Sequence, residues 1–101
     1  MSTSRAAIRF GTAVRELRVQ LCQTSEQSSG ARDFVTSYYA QLKRSNPNTP
    51  ILVRECAGIS PKVWTRYSFG REQVLSVESK SKEEVLELVT AMTTQDDDKS
   101  Q

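Results

Sequence analysis

Apolar and polar positions follow two different periods along the first half of the chain. Over residues 14–21 they alternate one by one, which is the period of a half-buried strand. Over residues 30–44 apolar side chains recur at every fourth position, which predicts an amphipathic helix. Residues 51–55 begin with a continuous apolar run, as a buried parallel strand does. This half therefore predicts a strand, a helix and a parallel strand, joined by a right-handed crossover.

The second half predicts a hairpin and a final helix. Residues 63–69 alternate again, and a turn at residues 70–72 leads into a short strand over residues 73–77. So close a turn favours an antiparallel pair. Ser81 and Glu84 have the spacing of a capping box, which predicts a helix start. The apolar face of that helix comprises Val85, Leu88, Val89 and Met92.

The order β-α-β-β-β-α predicts an α/β fold of the minimal thioredoxin-like type, with a four-stranded mixed sheet and two main helices. We expect the sheet to be covered by helix residues Phe34, Tyr38, Leu42, Val85, Leu88 and Val89. The domain is expected over residues 14–94, between a basic arm at residues 1–13 and an acidic tail at residues 95–101.

Charge is divided unevenly along the 101 residues, although the net charge is only +2. Residues 1–71 carry eleven Lys and Arg against four Asp and Glu, whereas residues 72–101 carry three against eight. The division is explained either by two solvated patches or by a docking surface that orients a partner. The small net charge gives no argument for nucleic acid, and no apolar run reaches the roughly 20 residues of a membrane span. We therefore expect neither nucleic-acid binding nor direct membrane insertion.

Histidine is absent, which removes Ser–His and Cys–His nucleophile pairs and imidazole metal ligands. Only two cysteines are present, and they do not form a C-x-x-C pair, so a metal site is not expected. The residues therefore indicate no catalytic group, no cofactor site and no metal.

The two cysteines follow the first two predicted strands. Cys22 opens the motif C-Q-T-S, in which Ser25 stands where a dithiol enzyme has its resolving thiol. The predicted helix also starts several residues later, so its N-terminus is displaced from Cys22 and is not expected to lower the thiol pKa. Both features argue against an efficient oxidoreductase.

A Cys22–Cys56 disulfide and two free thiols both agree with the sequence. Neighbouring parallel strands lie roughly 4.8 Å apart, which suits a disulfide, and closing this loop would stabilise the fold by about 4 kcal/mol. Small intracellular domains more often keep such thiols free. Both alternatives stay open from the residues alone.

A few further residues are candidates for contacts. Arg54, Glu55 and Arg66 lie near strand ends and are candidates for an internal ion-pair set. The aromatic residues are more typical of a core or an interface than of a base-stacking surface. The candidate interface residues are Arg54, Trp64, Arg66 and Tyr67.

Three motifs carry a family resemblance over about residues 16–72: L-R-V-Q-L-C, N-P-N-T-P-I-L-V-R-E-C and P-K-V-W-T-R-Y. They resemble a small thioredoxin-like accessory subunit of mitochondrial respiratory complex I, the NADH:ubiquinone oxidoreductase. The family shares its domain with some mitochondrial ribosomal proteins. The resemblance implies a subunit without catalytic residues or cofactor, on the matrix arm near the NADH-oxidising end, beside the large iron–sulfur subunit. It also implies that Cys22 and Cys56, which match the family's cysteines, can pair.

The acid-poor, Arg-rich start is typical of a mitochondrial import signal, which agrees with a location on the matrix side of the inner membrane. Two alternatives remain. A mitochondrial ribosomal protein would need a strongly basic body, which the acidic C-terminal third contradicts. A monothiol thioredoxin- or glutaredoxin-like protein would need an exposed Cys22 of low pKa.

Overall fold

A computed structural model of the chain describes residues 8–94. Residues 1–7 and 95–101 lie outside the described residues, and with them the first seven residues of the expected basic arm and the whole expected acidic tail. The main elements are β1 (Val14–Leu21), α1 (Ser29–Ser45), β2 (Ile51–Glu55), β3 (Lys62–Tyr67), β4 (Glu72–Ser76) and α2 (Lys82–Thr94). Short 3-10 turns at Glu26–Ser28 and Ser68–Gly70 precede α1 and β4.

The four strands form one mixed sheet in the order β2-β1-β3-β4. β1 and β2 run parallel, with Leu17 opposite Ile51, and β3 runs antiparallel to both β1 and β4. The predicted fold class, the parallel first pair and the antiparallel hairpin are therefore confirmed. The arrangement is consistent with a small thioredoxin-like α/β fold.

Both helices pack on the same face of the sheet, and their apolar side chains form one core with the inward side chains of the strands. Phe34 and Leu42 are buried as expected, whereas Tyr38 is only half-buried. In α2 the buried stripe includes Leu86, and the expected core residue Leu88 is only half-buried. The stripe is therefore shifted toward Leu86 around the helix. Ile8, which the expected domain boundary left outside, also packs on the core.

The third strand is shorter than the expected residues 63–69. It ends at Tyr67, whose N–H donates to the carbonyl of Arg71 at 2.7 Å and closes the turn into β4. Phe69 lies in this turn with φ 66°, and 97% of its surface is exposed. The expected extension of the strand to Phe69 is wrong because the chain reverses before the alternation reaches it.

The capping box of α2 is confirmed in both directions. The N–H of Glu84 donates to Ser81 Oγ at 3.2 Å, and the N–H of Ser81 donates to Glu84 Oε1 at 2.9 Å. The start of α1 differs, because Ser28 makes no side-chain cap. Its hydroxyl instead accepts the N–H of Cys22 at 3.0 Å, which ties the end of β1 to the start of α1.

Residues 8–13, which the sequence assigns to the arm, contact the domain. Asn46 accepts the N–H of Phe10 at 2.8 Å through Oδ1 and donates to the carbonyl of Ile8 at 3.0 Å through Nδ2. The N–H of Gly11 donates to the carbonyl of Thr93 at 2.6 Å. The boundary at residue 13 stays a prediction. In the described part of the chain, no helix has the length and apolar character needed to cross a membrane.

Candidate functional site

The sheet face that points away from both helices is the candidate interaction surface. We call it the open face, and three cross-strand rows make it up. The central row is Leu52, Arg18, Trp64 and Val74. One flanking row is Arg54, Gln20, Lys62 and Ser76, and the other is Glu16, Arg66 and Glu72.

Trp64 lies at the centre of the open face. Its side chain is half-buried, between the positions of Arg18 on β1 and Val74 on β4. The indole N–H donates to Oε1 of Gln20 on the neighbouring strand, which fixes the ring. Val74 is 42% exposed. Trp64 therefore presents a fixed aromatic surface with an exposed apolar neighbour.

Arg66 also lies on the open face, where carboxylates flank it. Its guanidinium is 3.8 Å from Glu16 Oε1 and 3.7 Å from Glu72 Oε2. Arg18 donates to Glu16 Oε2 at 2.7 Å. The expected set of Arg54, Glu55 and Arg66 is thus not the ion-pair set of the structure. The cross-strand register places Arg66 opposite Glu16 and Glu72, and that register decides the pairing.

Of the four candidate interface residues, Arg54, Trp64 and Arg66 share the open face. Tyr67 points the other way, because side chains alternate along β3. It is 5% exposed, and its hydroxyl donates to the carbonyl of Met92 at 2.7 Å. Tyr67 therefore joins the sheet to α2.

Cys22 and Cys56 are both free thiols, the first buried and the second exposed. They follow the last registered pair of the parallel ladder, Leu21 and Glu55. The N–H of Cys56 donates to the carbonyl of Leu21 at 3.0 Å, so the ladder continues to the next rung. The two thiols thus follow adjacent strand ends, as expected, and the disulfide stays a prediction.

The Cys22 thiol lies among hydrogen-bond donors. The N–H of Gly58 donates to its Sγ at 3.3 Å, and the hydroxyl of Thr24 lies 3.7 Å away. These contacts, with the N–H groups of Thr24 and Ser25, lower the pKa of Cys22 to about 6, although burial opposes the shift. The thiolate is thus favoured at neutral pH, but Cys22 is only 2% exposed.

This lowered pKa differs from the expectation for Cys22. The helix is indeed displaced, since α1 begins at Ser29. N–H groups of the loops, rather than of the helix terminus, stabilise the thiolate, and the N–H of Gly58 lowers the pKa of Cys22 the most. Gly58 has φ 80°, which a glycine adopts freely. The sequence shows a glycine two residues after Cys56, but no local pattern indicates that its N–H points at Cys22.

Metal-ligating side chains do not gather in the described part of the chain. Within residues 8–94, no group of three or more Cys, Asp or Glu side chains is arranged to hold a metal ion.

Comparison with known protein families decides the relationship. A family model described as the mitochondrial ribosomal protein L51 / S25 / CI-B8 domain matches residues 31–82. The chain belongs to this family. The matched segment begins in the first turn of α1, includes β2, β3 and β4, and ends at the first residue of α2.

Three curated relatives belong to distant eukaryotes. The chain is 50% identical over 72 residues to NADH dehydrogenase (ubiquinone) 1 alpha subcomplex subunit 2 of Mus musculus, covering 71% of this chain and 73% of the relative. It is 39% identical over 83 residues to the NADH-ubiquinone oxidoreductase 10.5 kDa subunit of Neurospora crassa, covering 82% and 88%. The Arabidopsis thaliana subunit 2 is 40% identical over 74 residues, covering 73% and 76%. The resemblance inferred from the sequence motifs is confirmed.

Proposed function

We propose that this chain is a non-catalytic accessory subunit of mitochondrial complex I that supports assembly and stability of its matrix arm. The observation that carries the proposal is the similarity to relatives from an animal, a fungus and a plant, all three of them named as subunits of the same NADH-oxidising enzyme. The sites of the fold agree with this role, because a sheet face with a fixed aromatic centre suits contact with a neighbour better than chemistry.

The proposal extends to location and partners. The subunit resides in mitochondria, on the matrix side of the inner membrane, near the NADH-oxidising end of the complex. Its neighbours are other complex I subunits, notably the large iron–sulfur subunit. It contributes no cofactor ligand, and its loss reduces NADH oxidation by lowering the amount of assembled enzyme.

The test is to delete the protein from its own cells and to resolve mitochondrial complexes on native gels with mass spectrometry. We expect the tagged wild-type chain to migrate with complex I in a stoichiometric amount. Its deletion should lower assembled complex I and NADH oxidation in proportion. Migration with mitochondrial ribosomes, together with normal complex I in the deletion, would show that the proposal is wrong.

A thiol redox activity is the second candidate, and one observation favours it: the pKa of Cys22 is lowered to about 6. Three features oppose it. Cys22 is buried, Ser25 stands in the resolving position, and the chain lacks histidine. The measurement is glutathione-coupled disulfide reduction by the purified protein. Turnover that disappears in Cys22→Ser would support an enzyme, and we expect none.

A further inference from the structure

The open face has two flanking rows of different electrostatic character. In the row of Glu16, Arg66 and Glu72 the cation has carboxylates on both sides, within 3.8 Å. In the row on the other side, Arg54 and Lys62 are both exposed. Neither of these two cations has an ion-pair partner among residues 8–94. Uncompensated positive charge therefore lies along one side of the open face only.

The central row supplies the apolar contact surface. Trp64 is fixed by its bond to Gln20, so ordering it on binding costs little side-chain entropy. Val74 exposes 42% of its surface beside it, and Leu52 is half-buried at the far end of the row. Arg18 lies between Leu52 and Trp64 in the row, and its guanidinium pairs with Glu16. Such an apolar centre with a polar border is the usual anatomy of a protein interface.

From this asymmetry we infer that the open face docks an acidic segment of a neighbouring complex I subunit, whose carboxylates meet Arg54 and Lys62 and whose apolar side chains cover Trp64 and Val74. The inference rests on the proposed function, and it names the surface and the chemistry of the partner. Charge complementarity at the rim selects the orientation, while the buried aromatic centre provides most of the affinity.

Two other occupants fit the open face less well. Nucleic acid needs cations that neutralise phosphates along a continuous path, but Glu16 and Glu72 line the opposite side and would repel phosphates. The chain's own acidic residues 95–101 follow α2, whose end lies near Tyr67 and Gly11. Arg54 and Lys62 lie at the other end of the sheet, because both pair with Gln20 near the end of β1.

The first experiment is site-specific cross-linking within assembled complex I. A photoreactive amino acid replaces Val74 on the open face or, as a control, Thr36 on the exposed side of α1. We expect the Val74 probe to cross-link to an Asp- and Glu-rich segment of another complex I subunit and the Thr36 probe not to reach that segment. Cross-links from Val74 to residues 95–101, to a second copy of this chain or to lipid, or no cross-link at all, would overturn the inference.

The second experiment reverses single charges. Arg54→Glu and Lys62→Glu are expressed in deletion cells beside Arg44→Glu, an equally exposed cation on α1. We expect the first two to lower the fraction of the chain that migrates with complex I about threefold to tenfold, because rim charges act on encounter and orientation. The loss relative to the wild type should shrink as the salt concentration is raised, since salt screens the charges that distinguish the variants from the wild type. Arg44→Glu should resemble the wild type.

Folding is separated from docking by measuring the thermal unfolding of each purified variant. The two open-face variants should unfold at the same temperature as the wild type, and Arg44→Glu slightly lower, because it places an anion in the last turn of α1. Incorporation of Arg54→Glu and Lys62→Glu equal to that of Arg44→Glu would show that the open face is not the docking surface. If the wild-type chain itself fails to migrate with complex I, the proposed function is wrong. The two failures are therefore distinguishable.

Discussion

Gly30 offers the sharpest test of how closely α1 approaches the loop before α2. It is the second residue of α1, and it is buried against the loop that precedes α2. A Cβ built on Gly30 would lie 1.6 Å from the carbonyl oxygen of Lys80, whereas real Cβ atoms essentially never come within 3.0 Å of another atom. The Gly30→Ala substitution therefore requires the two segments to separate by about 1.4 Å.

The loop cannot retreat freely. The N–H of Ser79 donates to the carbonyl of Gln27 at 3.0 Å, just before α1, and the N–H of Lys80 donates to that of Val77. Overpacking against backbone costs about 1–3 kcal/mol, and loss of one such hydrogen bond adds about 1 kcal/mol. The higher helix propensity of alanine offsets up to about 1 kcal/mol of this loss relative to glycine. We expect a net loss of about 2 kcal/mol in the free energy of unfolding, or about 10 °C in melting temperature.

The assay is urea unfolding followed by circular dichroism, which gives the midpoint and the slope separately. Ser29→Ala, at an exposed position one residue earlier, is the matched control and should change stability little. The sign of the effect decides the question, because alanine at an unhindered helix position would stabilise the protein. A Gly30→Ala protein at least as stable as the wild type would refute the close approach of the two segments.

The remaining predictions concern α2 and the two thiols. Leu86→Ala should cost about 2–5 kcal/mol in urea unfolding and Leu88→Ala clearly less, because only Leu86 is buried; equal costs would mean that α2 is rotated. In a Cys56→Ser background, the pKa of Cys22 is about 6 when folded, against its ordinary value of 9.0, so the unfolded chain binds more protons between these values. The free energy of unfolding should therefore rise from pH 6 towards pH 9, and this gain should disappear as the pH falls through 6; a difference from Cys22→Ser that does not depend on pH would contradict the lowered pKa. Mild oxidation of the folded wild-type protein should join Cys22 to Cys56 with loss of two hydrogens in the mass spectrum, and two thiols that resist bridging would count against the disulfide.

Local patterns predicted the elements because each of them satisfies a single local requirement. The capping box at Ser81 and Glu84 depends on a spacing of three residues, and it forms as the spacing predicts. The parallel pairing of β1 with β2 follows from the apolar character of both strands and from the crossover between them. The capping box depends on neighbours in sequence and the parallel pairing on the order of the elements, and the pattern along the chain contains both.

The differences arise where distant segments decide the outcome. Leu88 satisfies the helical period as well as Leu86 does, but only Leu86 is buried in the assembled core. Phe69 continues the alternation of β3, but the turn to β4 begins one residue earlier. The donor to Cys22 comes from Gly58, thirty-six residues away. Contacts of this range leave no periodic signal in a single sequence.

The candidate interface was predicted in part for the same reason. Alternation along β3 places Trp64 and Arg66 on one face and Tyr67 on the other, so Tyr67 could have been separated from the other two by periodicity alone. Periodicity could not predict which cation forms ion pairs, because Arg66 meets Glu16 and Glu72 only through the cross-strand register. Arg54 has no such carboxylate partner within residues 8–94, and this too is a property of the assembled sheet.

The two faces of the sheet make folding and docking separable by mutation. Val63 and Thr65 are fully buried against the helices, whereas Trp64 between them faces outward. A one-residue slip of β3 would exchange these sets and bury Arg66, which is strongly unfavourable for a charged side chain. The register is therefore fixed by the core face, and the open face inherits its arrangement of charge from that register. Substitutions on the open face can change partner contacts while the core, and with it the fold, stays intact.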